Sequence, residues 1–331
     1  MRKGFLTAGN WLVDMIKMID EYPKPGHFSR ILDQKSSCGG VFNTCIDLAI
    51  MDPTIPHYAA GIIGNDANGK QLLHCLNHAG VDTDSMSTTD AAPTSYTDVM
   101  TEQVSGNRTF FHSPGANALL TPEVITGSVN NARIFHLAYL LALESIDSFD
   151  KTYQVTAARL LHDMQMLGYK TSADAVSDSG DRFRSVVVPC LKYLDYFIIN
   201  EIEAGEITGH VIRTEDDTID RAALEESAHK LIELGVNDTV VIHMPEGAFA
   251  IDTRGKTAYA GSTTVAESEI VSSVGAGDAF CAGALYGLHE GWELKKILQI
   301  ANASANFNLK SGTGTGGAVP LDTLIEHLNL R

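Results

Sequence analysis

The chain has 331 residues, of which 44% are hydrophobic, and its 41 acidic and 24 basic side chains give a formal net charge of −17. A strongly negative protein is a poor partner for nucleic acid or for an anionic membrane, because both are themselves negatively charged. The length is sufficient for one large α/β domain with its own core.

Strand-like and helix-like segments alternate along most of the chain. The predicted strands cover residues 5–9, 57–62, 132–137, 168–172, 196–199 and 239–243. The predicted helices cover residues 40–51, 69–78, 152–167, 221–234, 279–290, 294–309 and 322–328. This alternation predicts a mostly parallel sheet that is covered by helices on both faces.

Two segments interrupt the alternation, at about residues 13–35 and 94–112. The second alternates apolar and polar residues around a turn at Ser105-Gly106-Asn107, which is typical of a β-hairpin. We expect the two segments to form a small sheet, a lid over the strand ends that excludes water. Two ordinary surface hairpins are the alternative.

The cysteines are five in number, scattered, and include no C-x-x-C pair. They are Cys38, Cys45, Cys75, Cys190 and Cys281. This pattern favours reduced thiols over a disulfide framework. No apolar run is long enough to span a bilayer, so we expect a soluble, cytoplasmic protein.

The most informative motif is Gly275-Ala276-Gly277 followed by Asp278, at the start of an apolar helix. Backbone amides at such a turn attract negative charge, typically a phosphate. A carboxylate beside them is suited to take the proton of a hydroxyl that attacks this phosphate. The alternative is a tight turn whose acidic residue only favours the helix N-terminus.

Two motifs near the N-terminus suggest contacts to a polyol. Asp14 follows the first strand, where ligands bind in open α/β sheets, and its carboxylate can accept hydrogen bonds from hydroxyls. Gly39 and Gly40 permit close backbone approach, and Asn43 can both donate and accept. A solvated turn and a simple helix entry would explain the same residues.

Two further motifs suggest a nucleotide. Asn200 and Glu203 share a helix face after a strand, and could order a hydrated Mg²⁺ beside a nucleotide. Taken by themselves, the two residues are better explained as an ordinary helix N-cap with acidic first-turn residues. Asn302 lies among small residues that leave room for a flat ring.

Taken in chain order, these motifs resemble the ribokinase-like (PfkB) family of carbohydrate kinases, over essentially the whole chain. The segment 272–285 carries the resemblance most specifically, and Gly64-Asn65-Asp66-x-x-Gly69 and Pro114-Gly115-Ala116-Asn117 support it. The resemblance implies a three-layer α/β/α fold with a β-sheet lid. It also implies transfer of the ATP γ-phosphoryl group to a hydroxyl of a sugar or sugar derivative.

Residue roles follow from the resemblance by matched position. Asp278 would be the catalytic base, and Gly275, Ala276 and Gly277 would form the anion hole. The residues implied to hold the sugar are Asp14, Gly39, Gly40, Asn43 and Glu144. Those implied to serve the nucleotide are Asn200, Gly247, Gly275, Gly277 and Asn302, with Glu203 acting indirectly on Mg²⁺.

The chain departs from the family pattern in three places. Ser272-Ser273 stands where the family commonly has Asp-Thr, and because that Asp helps to bind a monovalent cation, dependence on K⁺ stays open. Two residues rather than three separate the double glycine from Asn43, which weakens a prediction of ribose as the substrate. The loop 243–247 lacks the frequent Thr-Leu-Gly, so adenine contacts are expected to differ.

Other functions remain alternatives to a sugar kinase. A nucleoside kinase of the same superfamily would need an aromatic platform, which Trp11, Phe110 and Phe111 could supply. A non-catalytic sugar or nucleotide sensor would not need Asp278. A dinucleotide-dependent oxidoreductase is disfavoured, because no G-x-G-x-x-G follows the first strand.

The oligomeric state is a separate question. A homodimer formed through exposed lid edges is a further hypothesis.

Overall fold

A computed structural model of the chain describes residues 2–127, 130–176, 182–263 and 265–330. The strands in these ranges are β1 (Phe5–Gly9), β2 (Trp11–Ile19), β3 (Ile31–Gly40), β4 (His57–Gly64), β5 (Asp82–Thr89), β6 (Ser95–Glu102), β7 (Arg108–Ser113), β8 (Ile134–Leu140), β9 (Phe149–Asp150), β10 (Gln154–Val155), β11 (Lys170–Ala175), β12 (Tyr196–Asn200), β13 (Thr239–Met244), β14 (Gly247–Asp252) and β15 (Thr257–Gly261).

Ten α-helices lie between or after the strands in the same ranges. They are α1 (Val41–Met51), α2 (Ala67–His78), α3 (Pro122–Thr126), α4 (Thr156–Met166), α5 (Val188–Leu191), α6 (Glu201–Thr208), α7 (Arg221–Glu233), α8 (Ala276–Glu290), α9 (Leu294–Leu309) and α10 (Leu321–His327). In the described ranges, none of them combines the length and apolar composition needed to cross a bilayer.

The larger of the two main sheets has nine strands in the order β15-β14-β13-β12-β11-β8-β1-β4-β5. The seven strands from β13 to β5 are parallel to their neighbours, and β14 and β15 extend one edge in antiparallel pairing. Strand β12 is apolar on both faces: Phe197 belongs to one hydrophobic core cluster, together with α4 and α7, and Ile198 to a second cluster, together with α8 and α9. Burial on both faces is expected for parallel strands. The predicted three-layer α/β/α arrangement with a mostly parallel sheet is confirmed.

Some element bounds differ from the prediction. Helix α4 begins at Thr156 rather than at 152, because β9 and β10 form a short hairpin before it. Strands β8 and β11 each run three residues further than predicted, to Leu140 and Ala175. These longer ends bring Tyr139 and Asp174 to the carboxyl edge of the sheet, where α/β proteins bind ligands.

The second sheet, called the small sheet below, has four strands in the order β3-β2-β6-β7. The β2–β3 and β6–β7 pairs are antiparallel hairpins, and β2 joins them by pairing in parallel with β6. Only Asn10 separates β1 from β2, so the chain passes directly from the large sheet into the small one. Strand β3 then leads into α1. The small sheet is therefore anchored beside the carboxyl ends of the central strands.

Candidate active site

The turn before α8 can be formed only by glycine at position 275. Gly275 has a φ of +79°, in the left-handed region that disfavours side chains. A Cβ at this residue would lie 2.3 Å from the carbonyl oxygen of Gly314. The turn thus presents the first amides of α8, which have no partner within the helix, although that of Ala276 makes a long bond of 3.3 Å to the carbonyl of Ser273.

Three side chains hold the carboxylate of Asp278 in the first turn of α8. The Tyr139 hydroxyl donates to its Oδ1, the amide of Asn43 donates to its Oδ2 at 3.0 Å, and the Thr44 hydroxyl donates to Oδ1 at 3.4 Å. Burial raises the pKa of Asp278, while these three donors act to lower it. The carboxylate is therefore fixed in orientation and more basic than an ordinary Asp.

Two cavities meet at this turn. The larger, of about 780 Å³, is lined by Ala276 and Gly277, by the ends of β12 and β13, and by α9. The smaller, of about 590 Å³, is lined by Gly275 and Asp278, by the small sheet, and by the ends of β8 and β11. A group placed at the mouth of α8 is therefore reachable from both sides.

The smaller cavity has a polar end at Asp14. Burial, and to a lesser extent the charge of Asp278, raise the pKa of Asp14 to about 7. A Cβ at Gly39 would lie 2.2 Å from Oδ2 of Asp14, so glycine at this position lets β3 pack against that carboxylate. Asn10, Gly40 and Asn43 also line this end. The structure therefore brings together the sequence-predicted Asp14, Gly39, Gly40 and Asn43 beside Asp278.

Apolar side chains form another part of the lining of the smaller cavity. Its lining residues are Leu12, Phe110, Leu141, Ala142 and Val176. Of the aromatic residues considered above, only Phe110 lines the cavity: Trp11 is fully buried, with its indole N–H donated to the carbonyl of Ala60, and Phe111 does not line it.

Glu144 is exposed and lines neither of the two cavities. Its charge does act on His112, which lines the smaller one: burial lowers the pKa of His112, and Glu144 partly offsets that decrease. Glu144 therefore lies near the cavity wall at His112, and its contact with a sugar stays a prediction.

Asn200 and Glu203 form a complete capping box at the start of α6. The Asn200 side chain accepts from the Glu203 amide at 2.8 Å, and the Glu203 carboxylate accepts from the Asn200 amide at 3.1 Å. The hydrogen bonds between these two residues are therefore those of an ordinary helix N-cap. The same two residues also reach the cavities, since Asn200 lines the larger and Glu203 the smaller.

Two other residues were expected to contact the nucleotide, and the structure places them differently. Asn302 lines the larger cavity, and its side-chain amide donates to the carbonyl of Ala260 at 3.0 Å. Gly247 does not line it; its φ is +150°, and a Cβ there would lie 2.4 Å from the same carbonyl oxygen. Glycine is thus needed at 247 for strand packing, and the neighbouring Glu246 reaches the cavity instead.

Carboxylates crowd the region around Asp278. Burial and the charges of Glu203 and Asp278 raise the pKa of Asp174 well above its ordinary value. Within the described ranges, no three His, Cys, Asp or Glu side chains are arranged to hold a metal ion by themselves. A hydrated Mg²⁺ that takes most of its ligands from water and phosphate fits this donor set, because it needs only one or two carboxylates and would relieve their repulsion.

Three residues of the site were missed by the motifs. Tyr139 and Thr44 bind Asp278, and the rule that ligands lie at strand ends could have indicated Tyr139. Arg108, at the start of β7, donates to the hydroxyls of Ser272 and Ser273 at 3.2 and 3.3 Å. Nothing in the sequence near residue 108 indicates this contact, because it depends on how the small sheet is placed.

Arg108 has no carboxylate partner among the described residues, and burial lowers its pKa. Ser273, which accepts one of its bonds, lines the larger cavity. The guanidinium is thus a partly desolvated cation without a carboxylate partner, beside the amides of α8. An anion bound there would form an ion pair with it.

Residues 26–320 match the family model described as pfkB family carbohydrate kinase. The chain belongs to this family. The match confirms the resemblance drawn from the sequence motifs, and it makes the protein an ATP-dependent carbohydrate kinase by class.

Individual relatives are distant but extend along the chain. A ribokinase of Arabidopsis thaliana is 25% identical over 323 residues, which cover 95% of this chain and 77% of the relative. A nucleoside kinase of Methanothermobacter thermautotrophicus is 22% identical and covers 95% of this chain and 92% of its own. The solved structure of the Arabidopsis ribokinase, complexed with ribose and ATP, superimposes with a TM-score of 0.77 at 20% identity, covering 99% of each chain. At that identity, the likeness shows the shared fold.

Proposed function

We propose that this kinase transfers the γ-phosphoryl group of ATP to a hydroxyl of a sugar or sugar derivative, with Asp278 as the general base. One observation carries the proposal: two cavities meet at a helix mouth, with first-turn amides facing one and a held carboxylate facing the other. This arrangement suits an in-line transfer between two ligands.

The larger cavity is proposed to bind the nucleotide. Its phosphates would point at the amides of Gly275, Ala276 and Gly277, where the helix dipole favours negative charge. Asn200 and Asn302 would border the nucleotide, with Gly247 supporting the wall. Mg²⁺, when bound with the phosphates near Glu203, neutralises part of their charge.

The smaller cavity is proposed to bind the acceptor. Ionised Asp14 would accept hydrogen bonds from two hydroxyls of a polyol, and Asn10 and Asn43 offer further polar contacts. The hydroxyl nearest Asp278 would lose its proton to this carboxylate as the bond to phosphorus forms. The amides of the turn then stabilise the charge that develops on the transferred group.

We propose a single kinase domain in which the small sheet, with segments near 13–35 and 94–112, works as a lid. Thr97, Phe110 and His112 of this sheet line the acceptor cavity, so a bound acceptor would be covered from that side. Covering the site excludes water, which would otherwise accept the phosphoryl group.

The cysteines bear on the compartment in which the protein works. All five have free thiols, which are stable in a reducing compartment, and we propose that this compartment is the cytoplasm.

A nucleoside is the second candidate acceptor, and the apolar residues in the lining of the smaller cavity favour it. Phe110, Leu141 and Val176 offer a surface for a flat, poorly hydrated base, while Asp14 would hold the ribose. A full-length relative is a nucleoside kinase, which adds support.

A coupled ADP-release assay tests the proposal across pentoses, hexoses, sugar acids, sugar phosphates and nucleosides, with and without K⁺. Acceptor-dependent ADP formation from a sugar supports the main proposal, and formation from nucleosides alone supports the second candidate. Retained ligand binding without ADP formation over the whole panel would instead indicate a non-catalytic sensor.

A further inference from the structure

The loop 243–247, which departs from the family pattern, begins with a histidine in the wall of the larger cavity. His243 lies near the end of β13 and shares this wall with Ala276 and Gly277 of α8. The function proposed above gives it no role. Because the few polar groups in the wall of a ligand cavity usually fix the orientation of the ligand, we asked what this side chain could bind.

The imidazole ring of His243 faces the first turn of α8. A Cβ at Gly277 would lie 3.8 Å from Cε1 of His243, which is ordinary van der Waals contact. Cε1 is bonded to both ring nitrogens, so each of them lies one bond away from the ring atom nearest this turn. The ring also packs against Phe280, with the two ring centroids 4.7 Å apart. Packing on α8 therefore sets the orientation of the imidazole.

The ring nitrogens of His243 are not used by the protein. Within the described ranges they make no hydrogen bond, and they are not among the fully buried polar atoms that lack a partner, so the cavity gives access to them. Asn200 of β12, which is paired with His243 in the sheet, differs in this respect. Its side-chain oxygen is occupied, because it accepts from the amide of Glu203 and caps α6.

The imidazole of His243 is neutral at about pH 7, because burial lowers its pKa to about 4. The positive end of the α8 dipole, which the ring faces, also disfavours an imidazolium. A neutral imidazole has one N–H that can donate and one nitrogen that can accept. No bond to the described part of the chain fixes the tautomer, so either nitrogen can carry the proton.

We propose that the neutral imidazole of His243 donates a hydrogen bond to a phosphate oxygen of the nucleotide, beside the amide of Gly277. This inference rests on the proposed binding of the nucleotide in the larger cavity. Unprotonated phosphate oxygens only accept hydrogen bonds, and a phosphate held by the first-turn amides would lie next to the ring. A neutral donor adds a bond without adding charge, so it does not repel the Mg²⁺ that accompanies the phosphates.

Calorimetric titration of the full chain with ADP and Mg²⁺, at about pH 7.5, tests this contact. His243→Phe keeps an aromatic ring against Phe280 but removes the N–H. We expect its Kd for ADP to rise about tenfold, through loss of one hydrogen bond to a charged group. Its Kd for adenosine should not change, because adenosine has no phosphate.

Two further variants serve as controls. His243→Gln keeps an N–H at the same position and should recover part of the affinity for ADP. His229→Gln alters an exposed histidine of α7 and should bind ADP as the natural chain does.

A crystal structure of the natural chain with Mg²⁺ and ADP gives a readout that does not depend on a variant's folding. A ring nitrogen of His243 within about 3.2 Å of a phosphate oxygen supports the proposal. It is overturned by ADP in the larger cavity with both nitrogens beyond about 3.5 Å, by an unchanged Kd in His243→Phe, or by an equal loss of affinity for adenosine. These three results leave the proposed nucleotide site in place, whereas ADP that binds elsewhere, or not at all, would overturn that site as well.

Discussion

At the scale of single residues, Asp278 offers the most direct test of the chemistry. Asp278→Asn keeps the size of the side chain but removes its ability to take a proton. We expect kcat to fall by about two orders of magnitude or more, with ATP binding retained, because the amides of the turn are unchanged. A coupled ADP assay and calorimetric titration of ATP measure the two quantities. Asp82→Asn, at an exposed site on β5, is the control; near-normal kcat in Asp278→Asn would contradict the assignment.

We expect the ionised carboxylate of Asp14 to support activity while lowering the stability of the folded protein. Its pKa is about 7 in the folded chain and 3.8 in the reference state, so the folded protein holds this proton more tightly. Its contribution to stability is therefore complete below the lower pKa and is lost as the pH rises through about 7. We expect Asp14→Asn to raise the Tm near pH 8, because the buried charge is removed, yet to reduce kcat/KM strongly.

The same residue should control the pH profile. If ionised Asp14 holds the acceptor, kcat/KM falls on the acidic side with an apparent pKa near 7. Asp14→Asn should lose this limb and keep low activity at every pH. A lower Tm near pH 8, or an unchanged acidic limb, would show that Asp14 is not a buried, acceptor-binding carboxylate.

At the scale of elements, the small sheet brings a cation to the phosphate side of the site. Arg108 reaches Ser272 and Ser273 without a carboxylate partner, so we expect it to bind the phosphates of ATP. Arg108→Gln should raise the KM for ATP about tenfold, which corresponds to about 1.4 kcal/mol. Steady-state kinetics at varied ATP measure this. Arg30→Gln, beside β3, removes the same charge at an exposed position and should leave the KM unchanged; equal effects of both variants would indicate a general charge effect.

Elements also show what the sequence can and cannot predict. Local sequence specifies apolar strands such as β1 and β12, because their residues are buried. It also specifies the Gly-Ala-Gly turn before Asp278, because the backbone conformation there requires glycine. The ends of β8 and β11 are specified by pairing with neighbouring strands, so their extension to Leu140 and Ala175 was missed. Tyr139 could have been indicated by its place near a strand end. Arg108, however, reaches the site only through contacts between elements far apart in sequence, which no local pattern contains.

At the scale of the whole molecule, the outer edge of the small sheet predicts a dimer. Strand β3 is an edge strand, and its Ile31 and Leu32 are 53% and 46% exposed, with Phe28 before it 81% exposed. An exposed apolar edge favours pairing with a second copy of the chain, which buries these side chains and completes the edge hydrogen bonds. Pairing at this edge would also couple the two lids.

Sedimentation velocity tests this association. We expect the natural chain to sediment as a dimer and the double variant Ile31→Lys, Leu32→Glu to sediment as a monomer, because charged side chains at the edge oppose pairing. Met166→Lys, at a similarly exposed apolar side chain of α4 outside the small sheet, should remain dimeric. A natural chain that stays monomeric at high protein concentration, or a double variant that still dimerises, would place the lid edge outside any interface and leave each lid to close on its own.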